Sequence, residues 1–281
     1  MSTSSPVSTT QEANRRDGDT KSKPVAIRTF DIAISSSKNV TIRITEPALL
    51  ADNLPLETWA SSSILAAELH KHPITFPTSH LIDFSSPPPP SPSPVSPNII
   101  PILELGAGTG LVGLTASLLH HHPTILTDLP PIVPGLVANI ALNNPLFPRS
   151  HPPILAGVLD WTCPTTLSLP SPSPLDLPAS STKAHVILAA DTLYSADHPL
   201  LLTDTVTKWL SRDKDARFVM ATALRVAYLE ELRELWERLE GAGLACLDEG
   251  KGMAREEDFD DERLVEWSFW AWKQESGETG V

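Results

Sequence analysis

Cysteine is scarce. The 281 residues hold two, Cys163 and Cys246, too few and too far apart for a disulfide framework or a zinc site. A reducing compartment is therefore expected, cytoplasm or nucleus. Basic charge is short as well, since 21 Lys and Arg against 34 Asp and Glu leave a net charge of −13. That balance argues against a nucleic-acid binder relying on a general basic field, and it is compatible with a basic protein partner. No apolar run approaches the length of a membrane span, so no membrane partner is expected. The opening Met1-Ser-Thr-Ser-Ser-Pro6 lacks the apolar core of a secretory signal. The length suffices for one α/β domain with a full core.

What the chain does have is a glycine turn. The apolar run Ile99 to Leu105 carries one acid, Glu104, and breaks into Gly106, Gly108 and Gly110 before the helix-like Leu111 to Leu119. Strand, glycine turn and helix open a nucleotide-binding α/β unit. Glycine is needed there because the backbone turns sharply and a ligand approaches without a Cβ in the way. Gly108-Thr-Gly-Leu-Val-Gly113 also matches the dinucleotide pattern, which is a weak signal alone. Glu104 bears on the choice of ligand. A carboxylate beside the loop suits a cationic ligand and repels a pyrophosphate.

Along the chain, residues 1–24 read as a polar, disordered tail. Arg28–Ile34 and Val40–Thr45 alternate apolar and polar residues and predict a hairpin that caps the sheet or helps form a substrate rim. A helix is expected from Trp59. The proline-rich stretches at about 85–97 and 164–183 read as solvated loop insertions, and 276–281 as a second tail. Strands are expected at Thr124–Asp128, Ile154–Trp161, His185–Tyr194 and Phe218–Leu224, with helices between them. Leu244–Leu247 and Leu264–Trp272 make a closing pair. This alternation predicts a doubly wound, mostly parallel α/β sheet of about seven strands, Rossmann-like, preceded by the hairpin and helix. Asp128 ends the second strand about twenty residues past the glycines, where α/β sites place a carboxylate on ribose hydroxyls.

The string Glu104-Leu-Gly-Ala-Gly-Thr-Gly110 resembles motif I of class I methyltransferases that use S-adenosylmethionine (SAM). Trp59 in a Trp-x-Ser segment, Thr127-Asp-Leu-Pro130, Asp160-Trp161 and Ala190-Asp-Thr-Leu-Tyr194 accompany it in order. Together they resemble the seven-β-strand protein-lysine methyltransferases (methyltransferase family 16), which modify translation elongation factors, chaperones and related ATPases. The hallmark of that group is Asp/Glu-x-x-Tyr/Phe after strand four, matched by Asp191 to Tyr194. The resemblance spans roughly residues 26–273 outside the proline-rich loops, and it makes residues 25–275 the methyltransferase domain.

By that resemblance, Gly106, Ala107 and Gly108 line the amino-acid moiety of SAM and Asp128 binds its ribose. Glu104 belongs to the cofactor site, Trp59 and Trp161 flank the pocket, and Ala190 gives a backbone contact. Asp191 and Tyr194 sit at the mouth as the catalytic pair. Each aromatic also reads as plain core, and Asp191 as a cap on its turn. Adjacent His120, His121 and His122 do not converge on one ion, so no metal is expected. The implied reaction is in-line methyl transfer to a lysine nitrogen of a protein, by a monomer. A small-molecule amine or pyridine N-methyltransferase and a SAM-binding protein without turnover are the alternatives. Free lysine, with pKa about 10.4, is neutral roughly once in 2,500 at pH 7. An ion pair to Asp191 alone raises that pKa, so desolvation or a water path has to accompany it.

Overall fold

The run that ends at the glycine turn is apolar but for Glu104 because both of its faces are covered. In the computed structural model it is the central strand of a nine-stranded sheet. The structure describes residues 27–46, 50–51, 54–55, 57–82, 84, 97–170, 174–257, 259 and 262–274. The expected tails, and residues 85–96 of the first proline-rich stretch, lie outside the described residues.

The chain begins with β1 (Ile27–Ser35), β2 (Lys38–Thr45), a two-residue ladder of β3 (Leu50–Ala51) and β4 (Leu54–Pro55), and α1 (Ala60–Glu68). Then come β5 (Asn98–Leu105), α2 (Leu111–His120), β6 (Thr124–Asp128), α3 (Val133–Asn143) and β7 (Ile154–Val158). A short antiparallel pair follows, β8 (Thr166–Leu169) and β9 (Leu175–Pro178). The chain closes with β10 (Thr182–Ala190), α4 (His198–Trp209), β11 (Arg217–Ala223), α5 (Leu229–Gly241), β12 (Leu244–Met253) and β13 (Leu264–Trp272).

The strand order is β12-β13-β11-β10-β5-β6-β7-β8-β9. The five central strands, from β11 to β7, are parallel, and β13 is antiparallel to β11. This is the doubly wound sheet expected. Alternation along β10 shows the two covered faces. Ile187 and Ala189 pack with Leu202 and Val206 of α4, while Val186 and Leu188 pack with Val112 and Ala116 of α2.

One expectation fails. The second proline-rich stretch, read as a loop, extends the sheet by two strands. Leu167, Leu169 and Leu177 point into the core beneath Trp209, and Ser168 Oγ donates to Asp176 Oδ1 at 2.6 Å on the outer side. Period-2 alternation decides the strand here, and the prolines sit at its ends, where no ladder donor is lost.

The N-terminal hairpin is a separate two-stranded sheet, pairing Phe30 with Ile42 and Ile32 with Val40. It is fastened to α3 by two buried asparagines one turn apart. Asn143 Oδ1 accepts from Arg43 N–H at 2.9 Å, and Asn139 Oδ1 accepts from Thr45 N–H at 2.9 Å. Asn139 Nδ2 also donates to the Thr45 and Thr109 carbonyls at 3.1 and 3.0 Å, so one side chain ties hairpin, helix and glycine turn together. Replacing Asn139→Ala leaves these buried groups unpaired and should cost about 2–3 kcal/mol of stability. Urea unfolding measures it, and a loss under about 0.5 kcal/mol would remove this tie from the account.

Candidate active site

The order of strands reverses between β5 and β10, which pair in parallel with Leu105 opposite Ala189. An open α/β sheet has its crevice at the carboxyl ends of such strands. A cavity of about 640 Å³ lies there. Trp59, Gly106, Ala107, Gly108 and Asp128 line it, as do Trp161, Ala190, Asp191 and Tyr194. Nine of the ten residues singled out in the sequence thus meet at one place.

The floor is the glycine turn. Gly106, Gly108 and Gly110 have φ of +59°, +54° and +85°, the left-handed region that glycine enters freely. A Cβ on Gly106 would stand 3.0 Å from the Trp161 ring, so the cradle depends on its absence. The turn is held from β6: Ala107 N–H donates to the Thr127 carbonyl at 2.9 Å, and Gly108 N–H donates to Asp128 Oδ2 at 2.8 Å. Asp128 Oδ1 accepts the Leu129 N–H at 2.7 Å. This carboxylate is therefore fixed at the rim of the turn.

Glu104 is the exception. Only 2% exposed, it does not line the cavity. Its side chain points under α2, where Oε2 accepts the Gly113 N–H at 3.0 Å. Gly113 has no room for a Cβ, which would meet Leu126 at 2.0 Å and Glu104 Oε2 at 2.5 Å. Burial pushes the Glu104 pKa from 4.5 up to about 8; the Gly113 hydrogen bond opposes the rise and the Asp128 charge adds to it. At neutral pH Glu104 is largely the neutral acid. It supports the turn from below.

Asp191 also differs from an open carboxylate at the mouth. Both of its oxygens accept from Arg225, Oδ1 from Nη1 at 2.5 Å and Oδ2 from Nη2 at 2.8 Å. Arg225 Nε donates to Glu262, and the guanidinium lies 5.3 Å from the centre of the Trp59 ring. Burial works against the charge of Arg225, but the two carboxylates outweigh it and hold the pKa above its ordinary value. Sequence reading missed this residue. Its one signal was a charge just beyond the carboxyl end of β11, beside the end of β10.

The far wall is aromatic. The His198 ring stacks edge-on between Tyr194, 4.3 Å away, and Trp161, 5.6 Å away. His198 Nδ1 donates to the Thr192 carbonyl at 2.9 Å, which orients the ring. His198, the first residue of α4, belongs to no motif that would mark it in the sequence. Among the described residues, five carboxylates line the cavity (Glu57, Asp128, Asp160, Asp191 and Glu262) against the one guanidinium of Arg225, a balance that suits a cationic ligand.

Strand order, glycine turn and carboxylate-lined crevice define an open, Rossmann-like α/β domain with its ligand site at the switch point. Comparison with known families narrows this. The lysine methyltransferase family model matches residues 59–234, and the chain belongs to that family. Protein-lysine N-methyltransferase EFM2 of Saccharomyces cerevisiae is 31% identical over 234 residues, covering 81% of this chain and 50% of that protein. Protein-lysine N-methyltransferase rrg1 of Schizosaccharomyces pombe is 30% identical over 210 residues, covering 74% and 59%. EEF1A lysine methyltransferase 3 of Xenopus tropicalis matches a shorter stretch, 52% identical over 48 residues, covering 16% and 21%. The chain spans about half the length of the first two relatives.

The buried Glu104 makes a pH prediction. Between about pH 4.5 and 8 the folded state holds a proton that the unfolded state has released. Its contribution to stability is therefore fully present below about 4.5 and lost as pH rises through about 8. Glu104→Gln keeps an acceptor for Gly113 and removes the titration. Thermal melts should show the wild type losing stability relative to the variant from about pH 4.5 to 8. Parallel melting curves would contradict the buried acid.

Proposed function

We propose that this chain is a SAM-dependent protein-lysine N-methyltransferase acting, as a monomer in cytoplasm or nucleus, on a protein of the elongation-factor or chaperone kind. The observation that carries the reading is the cavity at the β5–β10 switch point, which joins a Cβ-free cradle, a fixed carboxylate and an acidic lining. The names of the relatives support a protein lysine as acceptor, and that of EEF1A lysine methyltransferase 3 supports an elongation factor.

The residues fit the cofactor chemically. SAM carries an ammonium and a sulfonium and no phosphate, which matches carboxylates better than a helix N-terminus alone would. Gly106, Ala107 and Gly108 would hold its amino-acid end by backbone, Asp128 its ribose hydroxyls, and Trp59, Trp161 and Ala190 its flanks. When bound, it supplies a methyl group on a positive sulfur. The chain itself orients the acceptor nitrogen and excludes water, and no separate base is needed for the transfer itself. Tyr194 and the His198 ring line the approach. The acceptor lysine must lose its proton before transfer, and exclusion of water works in that direction, since desolvation disfavours the charged amine.

Purified protein, labelled SAM and an extract from cells lacking the gene provide the test. A discrete labelled protein band is expected, with the methyl group on lysine by mass spectrometry and the band lost in Asp128→Ala. Label confined to the small-molecule fraction would replace the reading with a metabolite N-methyltransferase. SAM binding with no transfer to any fraction would replace it with a binding role.

A further inference from the structure

A second cavity of about 530 Å³ adjoins the first. Its own walls come from Ile27, Arg28 and Thr29 of β1 and from Glu257 and Phe259. Glu57, Trp59, Arg225 and Glu262 line both cavities, so the Arg225 side chain stands in the partition between them. On the cofactor side it is gripped by Asp191, and within the shared wall by Glu262 and the face of Trp59.

We infer that Asp191, Glu262 and the Trp59 ring form a cation subsite that Arg225 fills from within the chain, and that the target lysine of the substrate enters through the second cavity and takes this subsite by exchange. The inference rests on the lysine-methyltransferase reading and adds to it a route and a recognition step. Two carboxylates beneath an aromatic face are what recognises a primary ammonium or a guanidinium. Asp191 has a side chain only 3% exposed. Stripping it of its cation would leave a buried charge unpaired, at a cost too large for a binding step. Exchange avoids that, because one cation leaves as another arrives.

The partition supplies both room and partners for the displaced group. A guanidinium swung away from Asp191 enters the second cavity, where Glu57 and Glu257 offer carboxylates. The two cavities then become one passage from the β1 side to the glycine turn. The backbone agrees that the cage is built under constraint. Asp191 and Glu262 have φ of +59° and +53°, the left-handed region that non-glycine residues rarely occupy. Two residues from separate loops thus hold strained conformations, and both end on the same guanidinium.

The test uses the full chain and two probes, methylguanidinium and n-butylammonium, titrated by calorimetry against sodium at equal ionic strength. Arg225→Ala should bind both cations about tenfold or more tighter than the wild type, whose own side chain competes. Asp191→Asn with Arg225→Ala should lose that gain. Equal affinity in wild type and Arg225→Ala, or binding that survives loss of Asp191, would overturn the subsite. If Arg225→Ala fails to fold, Arg225→Lys keeps a charge but cannot fork onto both Asp191 oxygens. It should bind methylguanidinium about threefold tighter than the wild type, and equal affinity would again overturn the proposal. SAM affinity and label transfer, measured separately on the wild type, report on the methyltransferase reading and leave the cage result independent of it.

Discussion

The crevice depends on how closely α2 can approach the strands beneath it. Gly113 sits where any side chain would collide with Leu126 and with the Glu104 carboxyl. Because nothing projects there, the helix settles onto β5 and β6, and its third N–H reaches Glu104 at 3.0 Å. The turn before it is then fixed from three directions: Glu104 from below, Asp128 from β6, and Asn139 from α3. A turn of three left-handed glycines has little stiffness of its own. Its rigidity is borrowed from these side chains, which turns a flexible sequence into a preorganised cradle. The same Asn139 secures the hairpin that walls the second cavity, so both cavities share one mechanical support.

Much of this was legible in the sequence. Apolar runs marked β5 and β10 because both of their faces are covered, and the glycines with Asp128 marked the ligand site. The placement of Glu104 was also within reach. Side chains alternate along a strand, and Glu104 shares a face with Ile102, which packs with Val112 and Ala116 of α2. Counting two residues back assigns it to the underside of that helix instead of the ligand side. The proline-serine stretch failed for a different reason. Its composition suggested a loop, whereas Leu167, Leu169, Leu175 and Leu177 keep a strict period of two between the prolines. Periodicity was the better guide, because burial acts on alternate residues whatever lies between them.

Arg225 was not legible in that way. Its partner Asp191 lies 34 residues earlier, and nothing local links them. The contact exists because β10 and β11 pair in parallel with Ala190 opposite Ala221, bringing the two loops after the strands side by side. Asp191 N–H caps the Ala221 carbonyl at 2.9 Å, continuing the ladder one residue beyond the strand. Only the register of a specific sheet predicts such a pair, and register is set by packing over the whole domain.

Residues that break local rules give independent evidence about function, since a fold carries strain where other contacts over-determine it. Among the described residues, four that are not glycine have positive φ: His80, His121, Asp191 and Glu262. His121 is accounted for locally, as the left-handed residue that closes α2. Asp191 and Glu262 do not close a helix in this way. A buried ion pair is also a poor way to gain stability, because desolvation offsets most of the attraction. Strained backbones and desolvated charge therefore meet at a single guanidinium, on the wall between the cradle and the second cavity. An arrangement optimised only for folding would have filled that wall with aliphatic side chains. Here it carries the charge pattern that a substrate bearing one cation would need to meet.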